Sequence, residues 1–310
     1  MKTYHLPVIL CFVSKVTILT PATVANLGPG FDCLGLALDI SLRVEVEESQ
    51  GLHISYQGEG EVPLNQNNLI YRALVLAYRR LGKTLPGVKI HCQNDIPLAR
   101  GLGSSAAAAA SGLLAANHLL GEPLGGDELL ELGAELEGHA DNMAAALFGG
   151  CQIVIQDRGR LAHSPVKLPR GLKAVLFIPD FEMPTLKSRA LLSPQVSRED
   201  AVYNLGRVAM LVAALAQGKL ELLTLATQDR LHQPARTKLF QAMPVIFKAA
   251  SEAGALGVCL AGGGSSILAL TKVNTSAIAQ AMEKMAKAEG VSGRTLITQP
   301  NTWGAHRPQE

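Results

Sequence analysis

Nine residues, Pro97-Leu98-Ala99-Arg100-Gly101-Leu102-Gly103-Ser104-Ser105, run directly into a tract of alanines and constrain the fold more than any other stretch of the chain. Alanine and leucine are strong helix formers, so residues 104–120 should form a helix that opens straight out of a glycine-rich loop. Glycines let the backbone approach an anion closely, and the unpaired N–H groups of a first helical turn, with the helix dipole, favour phosphate. Two successive hydroxyls at that point can cap the helix and can reach a phosphate or a metal-bound water. The loop therefore reads as a phosphate cradle, with an ordinary serine-capped glycine turn as the competing reading. It is not the P-loop G-x-x-x-x-G-K-[ST], because Ser104 and Ser105 stand where the lysine would be. Nor is it a dinucleotide fingerprint: no G-x-G-x-x-G occurs here, and the preceding strand ends in Asn94-Asp95-Ile96-Pro97.

The patterns around the cradle mix strands and helices. Strand-like runs cover 16–19, 35–40 and 42–47, the last with strict alternation through Val44 and Val46. Helical spacing covers 68–81, with Gly82 as a stop, and 88–92 is a short strand. A second helix fits 127–137, and 144–155 reaches a Gly149-Gly150 turn that leads into a strand. Over 159–171 the pattern loosens into polar, Pro-containing sequence, which places a domain boundary there and gives units of 1–168 and 169–310. The second unit reads as a strand at 173–178, helices at 201–217, 219–227 and 243–253, a strand pair at 257–260 and 267–270, and a last helix at 277–288. Without a strict βαβ rhythm, the class is α+β. A length of 310 residues suits two domains with a cleft between them.

Composition narrows the partner. Apolar residues make up 48% of the chain and charged residues 17%, which excludes a disordered or coiled-coil chain. The net charge is +2 and the basic residues are scattered, so neither a nucleic acid nor an anionic membrane is the expected partner. A small molecule is. Cys11, Cys33, Cys92, Cys151 and Cys259 stand singly in apolar stretches, as reduced thiols of a cytoplasmic protein do. The apolar stretch 6–13 is too short for a secretory signal and reads as a first strand or an irregular extension before one. No run approaches the length of a membrane span.

The cradle resembles the nucleotide-binding P-x-x-x-G-L-G-S-S-A signature of the GHMP kinase superfamily. Two further segments agree with that family in order and spacing: Thr20-Pro21-Ala22-Thr23-Val24-Ala25-Asn26-Leu27-Gly28-Pro29-Gly30-Phe31-Asp32 and Leu260-Ala261-Gly262-Gly263-Gly264-Ser265-Ser266. The first of these, together with Glu137-Gly138-His139-Ala140-Asp141-Asn142, resembles the homoserine kinase branch. Mevalonate kinase and diphosphocytidyl-methylerythritol kinase share the cradle but lack the Glu137-Gly138-His139 pattern. A non-catalytic nucleotide-binding relative is the alternative from another class.

The resemblance implies a two-lobed GHMP kinase fold, with an N-terminal lobe like domain 2 of ribosomal protein S5 and a ferredoxin-like C-terminal lobe. It implies ATP and L-homoserine as substrates, Mg2+ as cofactor, and a homodimer as the family expectation. By position, Asn26, Asp32, His139, Asn142, Thr185, Arg189, Arg236 and Gly264 would line the amino-acid pocket. Asp32 suits an ammonium, and guanidiniums suit a carboxylate. Before Arg236 the family more often shows Tyr, where this chain has Ala235. The nucleotide would lie on Pro97, Leu98, Ala99, Arg100, Gly101, Leu102, Gly103, Ser104, Ser105, Ala106 and Ala107, with Asn67 and Asn68 near adenine. Asn68 reads equally as a helix cap. The superfamily holds Mg2+ with a serine and a glutamate; Ser104 or Ser105 fits the first role, and Glu137, in preference to Glu131, the second. Asp141 and Arg189 would be the catalytic pair.

Overall fold

The computed structural model describes residues 15–308. The apolar stretch 6–13 and Cys11 lie outside the described residues.

The first half is a sheet in the order β3-β4-β2-β5-β6, with β1 added against β2. Its strands are β1 (Lys15–Asn26), β2 (Gly30–Glu48), β3 (Leu52–Gly58), β4 (Val88–Asn94), β5 (Cys151–Asp157) and β6 (Arg160–Val166). Four helices accompany it: α1 (Leu69–Arg80), α2 (Ser104–Leu119), α3 (Gly126–Glu137) and α4 (Asp141–Phe148). The first strands are far longer than the apolar alternation alone indicates. The segment 20–26 continues β1 to a turn over Leu27-Gly28-Pro29, and β2 leaves from Gly30, which pairs with Asn26. The first motif is therefore a hairpin tip.

Alanines make α2 narrow and apolar nearly all round, the character of a fully buried helix. Ala106, Ala107, Ala109 and Ala110 are completely buried, and Thr20 Oγ1 and Ser111 Oγ meet at 2.7 Å, tying α2 to β1. Helix α1 begins where Asn68 Oδ1 accepts from the N–H groups of Ile70 and Tyr71, and it ends in Arg79 and Arg80, which complement its dipole.

The second half carries β7 (Lys173–Pro179), β8 (Gly257–Leu260), β9 (Ile267–Thr271) and β10 (Gly293–Thr298) in the order β10-β7-β9-β8. Strand order 4-1-3-2 with helices between is the ferredoxin-like arrangement. Helices α5 (Thr185–Ala190), α6 (Arg198–Gln217), α7 (Leu223–Ala226), α8 (Gln233–Arg236), α9 (Met243–Glu252) and α10 (Thr275–Ala288) complete it. Alternation along β7 splits its side chains. Ala174, Leu176 and Ile178 join the large core shared with the first sheet, while Val175 and Phe177 pack with residues of α9 and α10. Both faces are covered, which is why this strand reads as an unbroken apolar run.

Several expectations are corrected. The loosened stretch 159–171 holds a regular strand, β6, and the chain crosses to the second sheet only between Val166 and Lys173. The single helix expected over 219–227 is a 3-10 turn, Leu220–Leu222, followed by the one-turn α7. After β10 the chain returns to the first sheet, where Pro300 pairs with Leu38 and His306 with Leu19. Among the described residues no helix is long and apolar enough to cross a membrane.

Candidate active site

The helix mouth is built from backbone. Gly103, at φ +69°, is the N-cap of α2, and no side chain caps the helix. That corrects the expectation that the serines do so. Ser104 and Ser105 are already helical, which leaves the first-turn N–H groups without intrahelical acceptors and pointing outward. Gly101, at φ +75°, lies so close to the Ala261 carbonyl that a Cβ would collide with it, and a Cβ on Gly103 would strike Thr23. Only glycine meets both demands. The loop is stitched to its surroundings: Thr23 N donates to Leu102 O at 3.0 Å, and Ser266 N donates to Arg100 O at 3.0 Å. First and third motifs thus grip the second.

Arg100 turns away from the helix mouth. Its Nε donates to Pro179 O (2.8 Å) and its Nη2 to Asp180 O (2.6 Å), and Glu182 lies 3.3 Å from Nη1. The side chain clamps the loop to the second lobe, while its peptide stays in the cradle. Ala106 and Ala107 point into the core.

A cavity of about 370 Å³ opens over this mouth. One end is apolar, lined by Leu42, Tyr56, Val62, Pro63, Leu69 and Cys92, and suits a flat aromatic base. Asn68 reaches this end, with its side chain engaged as the α1 cap and donating to Pro63 O at 2.8 Å. Asn67 is exposed and does not line the cavity. Tyr56 and Asn94, which sequence reasoning missed, brace the same wall through Asn94 Nδ2 and the Tyr56 hydroxyl at 3.1 Å. For Tyr56 the signal was present in the alternation of β3, which runs on to Gly58, while Asn94 is the last residue of β4.

The other end is polar. It is lined by Asn26, His139, Asp141, Asn142, Thr185, Arg189, Arg236, Gly262 and Gly263. Gly138, at φ +77°, terminates α3, and the chain turns into α4 so that His139, Asp141 and Asn142 all stand at that corner. Asp141 is 2% exposed, its Oδ1 accepts from Asn142 N at 2.7 Å, and it lies 3.3 Å from His139 Nδ1. The Asp141 carboxylate holds the His139 imidazole above its ordinary range. Thr23 Oγ1 donates to Asn142 Oδ1 at 2.9 Å, which turns the Asn142 amide N–H groups toward the cavity.

Asn26 braces the hairpin tip, donating to Gly262 O at 2.9 Å and accepting from Asp32 N at 3.0 Å. Asp32 does not line the cavity itself. Its carboxylate takes both arms of Arg189, at 2.9 and 2.5 Å. Each partner is about a third exposed. Gly264 lies behind Gly263, its N donating to Ala261 O at 2.8 Å. Asn26, Leu27, Asp32 and Ala99 all carry positive φ, a concentration of strained backbone of the kind that functional sites retain.

Arg236 is the most enclosed cation, 1% exposed, and its Nε has no partner. Burial and the neighbouring Arg189 push its guanidinium down to about 10, so it stays charged at neutral pH. At the helix mouth, Ser105 Oγ donates to Glu137 Oε2 at 2.5 Å. Burial raises the Glu137 carboxyl above the usual range. The hydroxyl beside Glu137 is thus that of Ser105, not Ser104. Glu131 does not line the cavity and lies 3.9 Å from Arg80.

A two-lobed chain that presents bare helix-mouth amides beside a pocket of paired cations and carboxylates is built as a small-molecule phosphotransferase. Residues 68–150 match the GHMP kinases N terminal domain and residues 211–288 the GHMP kinases C terminal domain. A homoserine kinase of Moorella thermoacetica is 42% identical over 287 residues, covering 92% of this chain and 97% of that one. A homoserine kinase of Carboxydothermus hydrogenoformans is 41% identical over 293 residues, 94% of this chain and 96% of its own. The crystal structure of homoserine kinase from Cytophaga hutchinsonii superposes with a TM-score of 0.86 at 31% identity, covering 98% of this chain and 99% of that one. The chain belongs to the GHMP kinase family, within its homoserine kinase branch.

Proposed function

We infer that this protein transfers the terminal phosphoryl group of ATP to the hydroxyl of L-homoserine, giving O-phospho-L-homoserine for threonine biosynthesis in the cytoplasm. The observation that carries this reading is the placement of Arg189, Arg236 and Asn142 around one end of a cavity whose middle is the α2 mouth, with Asp32 paired to Arg189. A zwitterion bound there meets Arg236 with its carboxylate and, once Arg189 gives up its ion pair, Asp32 with its ammonium, and its hydroxyl points at the polyphosphate.

Phosphoryl transfer needs positioning and charge neutralisation more than covalent chemistry. The first-turn amides of α2 hold the phosphates, with the apolar end beside Tyr56 and Asn68 taking the base. Asp141 lies next to His139 and Asn142, where it can orient the acceptor hydroxyl and take its proton; Arg189 and Thr185 then face the transferred group. Mg2+ fits the remaining equipment: one desolvated carboxylate, Glu137, beside the hydroxyls of Ser105 and Ser104, with phosphate oxygens to complete a shell. When bound, it would offset the charge that builds on the phosphoryl oxygens. We place the nucleotide unit in 1–168 and most of the acceptor-side cations in 169–310. The active form is, in this reading, a homodimer.

The test is a panel of alcohols incubated with Mg-ATP and purified protein, with ADP release as the readout. Clear preference for L-homoserine is expected. Release with mevalonate and none with homoserine would move the substrate, and no release with any alcohol would make the chain a non-catalytic nucleotide binder.

A further inference from the structure

His232 is a buried titratable group that the reading above leaves without a task. The residue is 0% exposed and forms the N-cap of α8. Phe31 stacks on its ring at 5.2 Å between centroids. On one side Nε2 lies 2.7 Å from the Gly28 carbonyl oxygen, and on the other Nδ1 lies 2.5 Å from Arg236 Nη1. A guanidinium can only donate and a carbonyl can only accept. Together the two contacts force one state of the ring, neutral, with its proton on Nε2 and a bare lone pair on Nδ1. Burial agrees, pushing the imidazole down to about 4.

The neighbouring carboxylate does not compete for that proton. Asp229 accepts from the N–H groups of Leu231, His232 and Gln233 and from Asn204 Nδ2, which engages both its oxygens. Its approach to His232 Nε2 is 3.6 Å.

Arg236 Nη1 donates both to His232 Nδ1 and to Gly262 O, the latter at 3.1 Å. Both hydrogens of that nitrogen are thereby used. Nε is buried without a partner, and the guanidinium lines the cavity. One edge of the fork is locked and the other is left open, and an open edge bearing Nε is the shape that a carboxylate completes with two parallel hydrogen bonds. The same ring ties that fork to Gly28 at the hairpin tip, so the first motif and the acceptor-side arginine are held in one frame.

We propose that His232 is a positioning residue for the acceptor, fixing the Arg236 guanidinium through Nη1 so that its free edge meets the carboxylate of the bound amino acid. This rests on the reading of the acceptor as homoserine. Its first test does not. In 15N-histidine NMR of the parent protein at neutral pH, His232 should show the Nε2–H tautomer; an Nδ1–H tautomer or a doubly protonated ring would overturn the proposal whatever the substrate. The second test is kinetic. His232→Leu should raise the KM for homoserine about tenfold or more, the size of one lost charge-assisted hydrogen bond, with the KM for ATP within about twofold. His232→Asn, whose side-chain oxygen can occupy the Nδ1 position, should recover most of that loss. Equal rises for both substrates, or an unchanged homoserine KM, would contradict it. If the leucine variant does not fold, His232→Asn and His232→Gln decide. Only the asparagine places an acceptor at Nδ1, so identical homoserine KM values in the two would overturn the assignment. Absence of turnover with every amino-acid alcohol would sink the functional reading and leave the tautomer to judge His232.

Discussion

The two ends of the cavity are made of different material. The phosphate end is backbone: first-turn amides of α2, a left-handed Gly103 and a Gly101 pressed against Ala261. The acceptor end is side chains, drawn from the β1–β2 hairpin, the α3–α4 corner, α5 and α8. A backbone site is indifferent to most side-chain changes and intolerant of an added Cβ. A side-chain site behaves the opposite way, and each of its ligands can be removed separately.

The largest effect expected of a substitution tests the first half of that contrast. Gly101→Ala combines a left-handed backbone with a collision against a carbonyl oxygen, about 3 kcal/mol of strain, and should weaken ATP binding roughly a hundredfold by calorimetry. Retained ATP affinity would mean that the cradle is more pliant than its packing indicates. Next in size, Glu137→Gln should lower turnover about a hundredfold and raise the Mg2+ concentration needed for half-maximal rate. Glu131→Gln serves as its control and should change either quantity by less than about twofold, because its partner Arg80 is a surface contact.

On the acceptor side, Arg236→Lys should raise the homoserine KM by about tenfold and leave that for ATP nearly unchanged, since a point charge cannot reproduce a planar fork. An equal effect on both substrates would break the division of labour between the two ends. The smallest effect concerns pH. The His232 imidazole sits near 4 in the folded protein against its ordinary 6.5, so between those values the unfolded chain binds a proton that the folded chain refuses. Stability from this group is therefore full above about 6.5 and falls as pH drops toward 4. His139, held above its ordinary range, contributes with the opposite sign and loses its contribution as pH rises. Thermal melts of the parent and His232→Gln over pH 4–7 should diverge in slope, and parallel curves would contradict the assignment.

The same contrast explains what the sequence made legible. The cradle is local: nine consecutive residues and an alanine helix carry its physics, and what was misread is side-chain direction, with Gly103 taking the cap in place of the serines and Arg100 turned to the second lobe. Strand β6 escaped because Arg160–Val166 is half polar and contains Pro165, features that an edge strand tolerates. Strand β10 is another short, partly exposed edge. The acceptor end was legible only through family likeness, since residues 26, 32, 142, 189 and 236 meet in space without any periodicity that links them. Its supports were invisible. Nothing in the spacing shows that Thr23 would turn Asn142, that Arg100 would reach Pro179, or that Gly28 would accept from His232.

The central claim is that the acceptor pocket recognises a carboxylate next to the phosphate cradle. Comparing kcat/KM for L-homoserine with that for 3-aminopropan-1-ol, the same amino alcohol without its carboxylate, tests it most directly. A loss of about a thousandfold or more is expected, because the buried open edge of Arg236 would be left unmatched. Comparable values for the two alcohols would contradict it.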